Sequence, residues 1–291
     1  MKKLRTLFLV GVVLLLSGCK FALLDPQGQI AATEKHLFLV AVGLMLLVVV
    51  PVIILSFIIP WRYRAKNTKA TYAPNWSHST VLETIWWAIP CVIIGILAYL
   101  TWVYTHSLDP YRPLDNPKKP LEIEAIALNW KWLFIYPEQN IASVNYLNIP
   151  VGQPVRFYIT SDAPMNSLEI PQLAGQIYAM TGMQTKLNII ANRVGTYTGF
   201  SSNFSGDGFS GMNFTVGVGT QQEFDEWVAK VKSSNKSLSL LAYNQLTKDS
   251  ENNPVEYFSS ADKDVFKIAI MKYMGMEMHG MACNGAMLAH N

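Results

Sequence analysis

Leu37-Phe-Leu-Val-Ala-Val-Gly-Leu-Met-Leu-Leu-Val-Val-Val-Pro-Val-Ile-Ile-Leu-Ser-Phe-Ile-Ile59 contains one polar side chain, Ser56, in 23 residues. At about 1.5 Å of rise per residue, a helix of that length crosses a hydrocarbon core of about 30 Å with some tilt. A second stretch, Ile85 to Val103, runs 19 residues and holds Pro90, Cys91 and Gly95. The two are read as transmembrane helices, and they decide the fold class. Pro51 and Pro90 are compatible with spanning because neighbouring protein can satisfy the carbonyls they free. Cys91 fits as a small apolar packing residue. Trp61, Trp86, Trp87, Trp102 and Tyr104 cluster at the span ends, as interfacial aromatics do.

The composition agrees. Of 291 residues, 51% are hydrophobic and 15% charged, against about 25% charged in soluble domains. A net charge of +3 gives no reason to expect nucleic acid. Three cysteines, Cys19, Cys91 and Cys283, are odd in number and far apart, so no disulfide framework is implied. Arg62, Arg64, Lys66 and Lys69 lie between the spans, which makes that loop cytoplasmic and both outer segments periplasmic. At the start, Lys2, Lys3 and Arg5 precede an apolar run too short to span, ending in Leu16-Ser-Gly-Cys19. This resembles the lipobox of bacterial lipoproteins. The resemblance implies cleavage before Cys19, lipidation of its thiol, and residence at the bacterial inner membrane as a lipid-anchored, two-pass protein.

Beyond the hairpin the texture changes twice. Leu121 to Leu128, Pro154 to Thr160, Thr185 to Ala191, Thr196 to Ser202 and Met212 to Val218 are short β-branched or aromatic runs separated by turn residues. That pattern suggests an all-β sandwich or barrel. Gln221 to Val231, Ser237 to Leu246 and Ser260 to Tyr273 read as amphipathic helices, with Asp262 or Ser260 as a cap. The expected organisation is a signal over 1–18, a periplasmic segment over 19–36, a first helix over 37–59 and a cytoplasmic loop over 60–84. A second helix over 85–104, a proline-rich linker over 105–120 and a β domain over 121–220 follow. A helical, aromatic-rich extension over 221–273 and a Met-rich tail over 274–291 complete the chain.

Within the β domain, Gly199-Phe-Ser-Ser-Asn-Phe-Ser-Gly-Asp-Gly-Phe-Ser-Gly-Met212 has the layout C-x-E-x-C-x-x-x-H-x-x-M of a copper site with its donors replaced. Ser201 and Ser205 stand at the cysteine positions, Asn203 at the glutamate and Phe209 at the histidine; upstream, Asn166 stands where a further histidine would lie. Only Met212 remains. Copper at such a site needs soft thiolate and imidazole donors, and one thioether does not hold it. No metal is therefore expected on this chain.

Two spans followed by a β domain with this frame resemble subunit II of the haem–copper oxidases. Glu83-Thr-Ile-Trp-Trp-Ala-Ile-Pro90 resembles the start of that family's second helix, and Asn129-Trp-Lys-Trp132 its aromatic segment. Leu23-Leu-Asp-Pro-Gln-Gly-Gln29, Pro74-Asn-Trp-Ser-His-Ser79 and Gln176-Ile-Tyr-Ala-Met-Thr-Gly-Met-Gln184 are closer still to the quinol oxidase branch, of cytochrome bo type. The resemblance implies a cupredoxin-like fold for the periplasmic domain. It also implies an accessory role beside a catalytic subunit I and smaller subunits, in a complex that oxidises ubiquinol, reduces dioxygen to water and pumps protons. Haems and a single copper would belong to subunit I, with none on this chain.

Individual residues carry two readings. Thr80-Val-Leu-Glu83 fits a capping box, with Thr80 as N-cap; the resemblance puts Glu83 at the entrance of a proton-uptake path, and the roles are compatible. Trp130 resembles the tryptophan that takes electrons from cytochrome c in copper-bearing relatives, but with no copper behind it Trp130 and Trp132 read as packing or interface aromatics. Asp207, between Gly206 and Gly208, reads as a turn residue. The tail from Met271 to Cys283 holds five methionines and His279, with Met287 and His290 beyond; this suits either Cu(I) capture or a plain terminus. The rival functions are therefore a periplasmic copper-binding lipoprotein and a cytochrome c oxidase subunit II with unusual ligands.

Overall fold

The computed structural model describes residues 21–71 and 73–274. Cys19 and the tail from residue 275 onward lie outside them. The chain divides into two compact units, a hairpin over 32–112 and a unit formed by the segment ending at Ala31 with everything from Pro113.

In the hairpin, helix α1 spans Gln29–Arg62 and α2 spans Thr80–Ser107. At 34 and 28 residues, both outrun the apolar stretches. Their flanks extend the helices to roughly 51 and 42 Å, past both faces of the hydrocarbon layer. Phe57 is 75% exposed and Val92 63%, within a nearly continuous apolar surface that a bilayer or partner helices must cover. Cys91 also faces outward. Ser56 donates its hydroxyl to the Val52 carbonyl at 2.8 Å, so the one polar side chain of the first stretch is satisfied inside its own helix. At the opposite end, His36 Nδ1 and the Tyr104 hydroxyl are 3.0 Å apart.

The expected cap on α2 is shifted by one residue. Ser79, in extended backbone, is the N-cap, and its hydroxyl accepts from Leu82 N–H at 3.5 Å. Thr80 is the first helical residue, with its hydroxyl 3.2 Å from His78 Nε2. Adjacent hydroxyl residues compete for the capping position, and the one with non-helical backbone takes it.

The second unit is a two-sheet sandwich. Its strands are β1 (Leu121–Leu128), β2 (Lys131–Tyr136), β3 (Ile141–Val144), β4 (Tyr146–Pro150), β5 (Pro154–Ser161) and β6 (Asn166–Ile170). β7 (Ala174–Ala179), β8 (Thr185–Ile190), β9 (Gly195–Ser201), β10 (Asn213–Gly219) and β11 (Glu256–Phe258) complete the set. One sheet has the order β11-β3-β2-β1-β5-β8, the other β4-β10-β9-β6-β7. The segment before α1 belongs to this unit: Gln27 and Gly28 N–H both donate to the Gln172 carbonyl, at 2.7 and 3.0 Å.

The first core lies between the sheets and includes Ile123, Trp132, Phe134, Tyr136, Phe157 and Val216. A second core lies on the outer face of the larger sheet, where Ile126, Leu128, Leu133 and Ile135 meet Tyr243, Phe258, Val265 and Phe266. β2 and β3 are therefore buried at every position. The C-terminal region supplies the cover. Helix α3 (Gln221–Lys232) starts with a capping box formed by Thr220 and Glu223, and sends Phe224, Trp227 and Val231 into the first core. Trp227 meets Tyr136 edge-on, with ring centroids 5.3 Å apart. Helices α4 (Leu240–Leu246) and α5 (Val265–Met271) close the second core, and β11 extends the sheet edge beside β3. The expected cap on α5 is not formed: its N-cap is Asp264, without a side-chain bond. Asp262 instead accepts from the Asp264 N–H at 3.0 Å, two residues too early to cap the helix.

One carboxylate on the outer face has no polar partner among the described residues. β1 alternation puts Glu124 on the side of the second core, in register with Ile135 and Tyr158. Burial, and then the neighbouring Glu122 charge, raise its carboxyl from the ordinary 4.5 to about 7. The folded state then holds a proton that the unfolded state releases, so stability is full below the unfolded value and declines as pH rises toward 7. Glu124→Gln is expected to change thermal stability little at pH 4.5 and to raise it by about 1–2 kcal/mol at pH 8. Melting of the purified protein at the two pH values measures the difference. An equal gain at both would show that ionisation is not the cause.

Candidate functional site

The metal-frame residues converge at one end of the sandwich. β6 begins at Asn166 and β9 ends at Ser201 beside it. The Ser201 hydroxyl donates to Asn166 Oδ1 at 2.9 Å, with both side chains buried, and Asn166 Nδ2 donates to the Pro164 carbonyl at 2.7 Å. Asn203 Nδ2 donates to the Met165 carbonyl at 2.8 Å. Asp207 opens a 3-10 turn, Asp207–Gly211, as expected of a turn residue. Phe209 in that turn packs edge-on against Phe204, with centroids 5.5 Å apart. Met212 is buried, and its carbonyl accepts from Ser201 N–H at 3.1 Å. The Ser205 hydroxyl is buried with no hydrogen-bond partner among the described residues.

The donor chemistry does not suit copper. The six side chains offer two amides, two hydroxyls, a thioether and a phenyl ring, and none supplies thiolate or imidazole. The amide and hydroxyl at the centre are already committed to each other. Among the described residues, no group of three or more His, Cys, Asp or Glu side chains is placed to hold a metal.

Trp130 lies beside this loop. It occupies the left-handed region at φ 58° in the turn between β1 and β2, where a bulky residue is uncommon and needs support. Its indole N–H donates to the Ser205 carbonyl at 3.2 Å. A methyl group at Gly208 would come within 2.5 Å of the indole, so only glycine fits there. Trp132, by contrast, is fully buried in the first core. Of the packing and interface readings, the structure shows packing: Trp132 within the first core and Trp130 partly buried against it.

Glu83 is elsewhere, in the hairpin. Its Oε1 is 2.5 Å from His78 Nδ1, an ion pair when the imidazole is protonated. The Glu83 N–H donates to the Ser79 carbonyl at 2.9 Å. A carboxylate in the first turn of α2 is favoured by the helix dipole.

Three features escape the sequence reading. Asp162, with no side-chain exposure, accepts from the Tyr243 and Tyr273 hydroxyls at 2.6 and 2.7 Å and from Lys272 Nζ at 2.8 Å. Lys131 is 2% exposed and donates to the Lys248 carbonyl at 3.0 Å. The segment around residue 250 packs on the metal-frame turn. The only available signal is a lysine between two tryptophans, since a buried cation needs fixed acceptors.

The transmembrane domain of cytochrome c oxidase subunit II matches residues 26–102, its periplasmic domain matches residues 138–218, and the COX Aromatic Rich Motif matches residues 232–277. A cytochrome bo(3) ubiquinol oxidase subunit 2 from Pseudomonas putida is 55% identical over 264 residues, covering 91% of this chain and 84% of the relative. One from Pseudomonas aeruginosa is 52% identical over 273 residues, covering 94% and 82%. A ubiquinol oxidase subunit 2 from Acetobacter aceti is 48% identical over 262 residues, covering 89% and 85%. Neither rival reading is favoured by these relatives. With a two-helix hairpin, a cupredoxin-like sandwich whose metal frame lacks its donors, and this likeness along most of its length, the chain belongs to the family of ubiquinol oxidase subunit 2 proteins.

Proposed function

We propose that this chain anchors and caps catalytic subunit I of a proton-pumping oxidase that takes electrons from ubiquinol and reduces dioxygen to water, and that it carries no redox centre itself. The observation that carries the reading is the buried Asn166–Ser201 hydrogen bond at 2.9 Å, which ties up the two central metal-frame positions with groups unsuited to copper. A membrane-soluble quinol can reach subunit I without a metal relay in the periplasm. Haems and one copper then belong to subunit I. The exposed apolar faces of α1 and α2 provide the surface for subunit I, the smaller subunits and membrane lipid.

The complex purified through a tag on this chain is expected to consume oxygen rapidly with ubiquinol and negligibly with reduced cytochrome c. Uptake with cytochrome c would overturn the reading.

Glu83, in the first turn of α2 on the cytoplasmic side, is assigned to proton uptake into subunit I. Glu83→Ala is expected to slow turnover about tenfold at saturating ubiquinol while the complex stays assembled with its haems, less than the loss of a general acid or base at a reacting centre causes. Undiminished turnover would remove Glu83 from the path.

Leu16-Ser-Gly-Cys19 supports lipidation at Cys19. Two helices already hold the chain in the membrane, so the lipid would position the N-terminal segment rather than retain the protein. Intact-mass measurement is expected to give a mature chain starting at Cys19 with added acyl mass. An unmodified Cys19 would exclude lipidation.

A further inference from the structure

The metal-frame turn has a second neighbour besides Trp130. The segment 248–253, between α4 and β11, crosses the outside of this end of the sandwich. It is anchored on the β1–β2 turn that carries Trp130. Lys131 Nζ donates to the Lys248 carbonyl at 3.0 Å and also to the Ser250 hydroxyl. Asn129 Nδ2 donates to Asp249 Oδ1 at 2.5 Å. At its far end, Asn145 Nδ2 donates to the Asn253 carbonyl at 3.0 Å. Internally, Ser250 and Asn253 exchange bonds of 2.8 and 2.7 Å, which set its curvature.

From this anchorage the segment reaches the 3-10 turn. A methyl group built on Gly208 would lie 2.5 Å from the Trp130 indole and 2.7 Å from Glu251 Cγ. One built on Gly211 would lie 2.7 Å from Asn252 Oδ1. The turn is therefore closely flanked, at Gly208 by the indole and Glu251 and at Gly211 by Asn252.

A bound metal ties its ligand loop together, because its binding free energy is also folding free energy. Residues 201–212 have no such tie. The side-chain bonds of their first members, Ser201 to Asn166, Ser202 to Ser167 and Gln176, and Asn203 to the Met165 carbonyl, lie toward β6 and β7.

We propose that 248–253 is a strap that replaces the metal as the element holding this loop from outside, and that it closes the surface beside Trp130 to any soluble redox protein. The strap is part of the same C-terminal region that covers the second core.

The test uses the intact purified oxidase complex, with hydrogen–deuterium exchange and hydroxyl-radical footprinting read by mass spectrometry. Two variants loosen the strap: Lys131→Met, which removes its buried anchor, and the double change Asp249→Ala with Ser250→Ala. Ubiquinol turnover reports that each complex is assembled. Both variants are expected to exchange about tenfold faster in residues 203–212, the size expected for losing a charged hydrogen bond, and to oxidise more readily at Trp130. Faster exchange confined to 248–253, with 203–212 and Trp130 unchanged, would overturn the proposal. If Lys131→Met fails to assemble, the double variant, which alters side chains nearer the surface, decides the outcome.

Discussion

The larger sheet is apolar on both faces, and the rest of the periplasmic unit follows from that constraint. β2 sends Trp132, Phe134 and Tyr136 into the sandwich and Leu133 and Ile135 out of it. A sandwich covers only the inner set. The outer set would leave a large exposed apolar patch without α4, α5 and β11. The C-terminal extension is thus part of the fold. Asp162 fixes this cover with polar bonds, joining the end of β5 to Tyr243, Lys272 and Tyr273. Its carboxylate has no exposure, and a charge so buried is stable only when paired and fully hydrogen-bonded.

The functional end of the sandwich obeys a related rule. Replacing thiolates and imidazoles by hydroxyls and amides removes the affinity for copper and leaves polar groups that must find partners. Asn166 and Ser201 satisfy each other, and Asn203 finds a backbone carbonyl. The Ser205 hydroxyl finds none among the described residues. The cupredoxin-like frame persists because its strands are held by the first core, whose burial does not depend on a metal. The hairpin is a separate unit: its apolar surface is exposed along both helices, and Glu83 pairs with His78 at the N-terminal end of α2.

Much of this was legible in the residues. The two spans are visible because lipid demands uninterrupted apolar runs, and their direction because Arg62, Arg64, Lys66 and Lys69 share one loop. Strands β1, β5, β8, β9 and β10 are visible where β-branched runs end in turn residues. β2 is not legible because apolar faces on both sides erase alternation, the usual sign of a strand. β3, β4, β6, β7 and β11 are not legible because three to six residues carry too little pattern. The capping error at Thr80 has a similar origin. Ser79 and Thr80 have equivalent chemistry, and only backbone conformation distinguishes them. The metal-frame positions were readable because their spacing survives the loss of their donors.

By itself, then, the sequence determined the membrane hairpin, its orientation, the presence of a β domain and the absence of thiolate and imidazole donors at 166 and 201–212. These depend on side-chain chemistry and local spacing. Tertiary structure alone decided that residues 221–273 complete two cores, that Asp162 and Lys131 are buried and paired, and that 248–253 lies against the turn beside Trp130. Lys131 and Ser250 are 119 positions apart in the chain, and no local pattern records which distant segments a packed sheet will bring together.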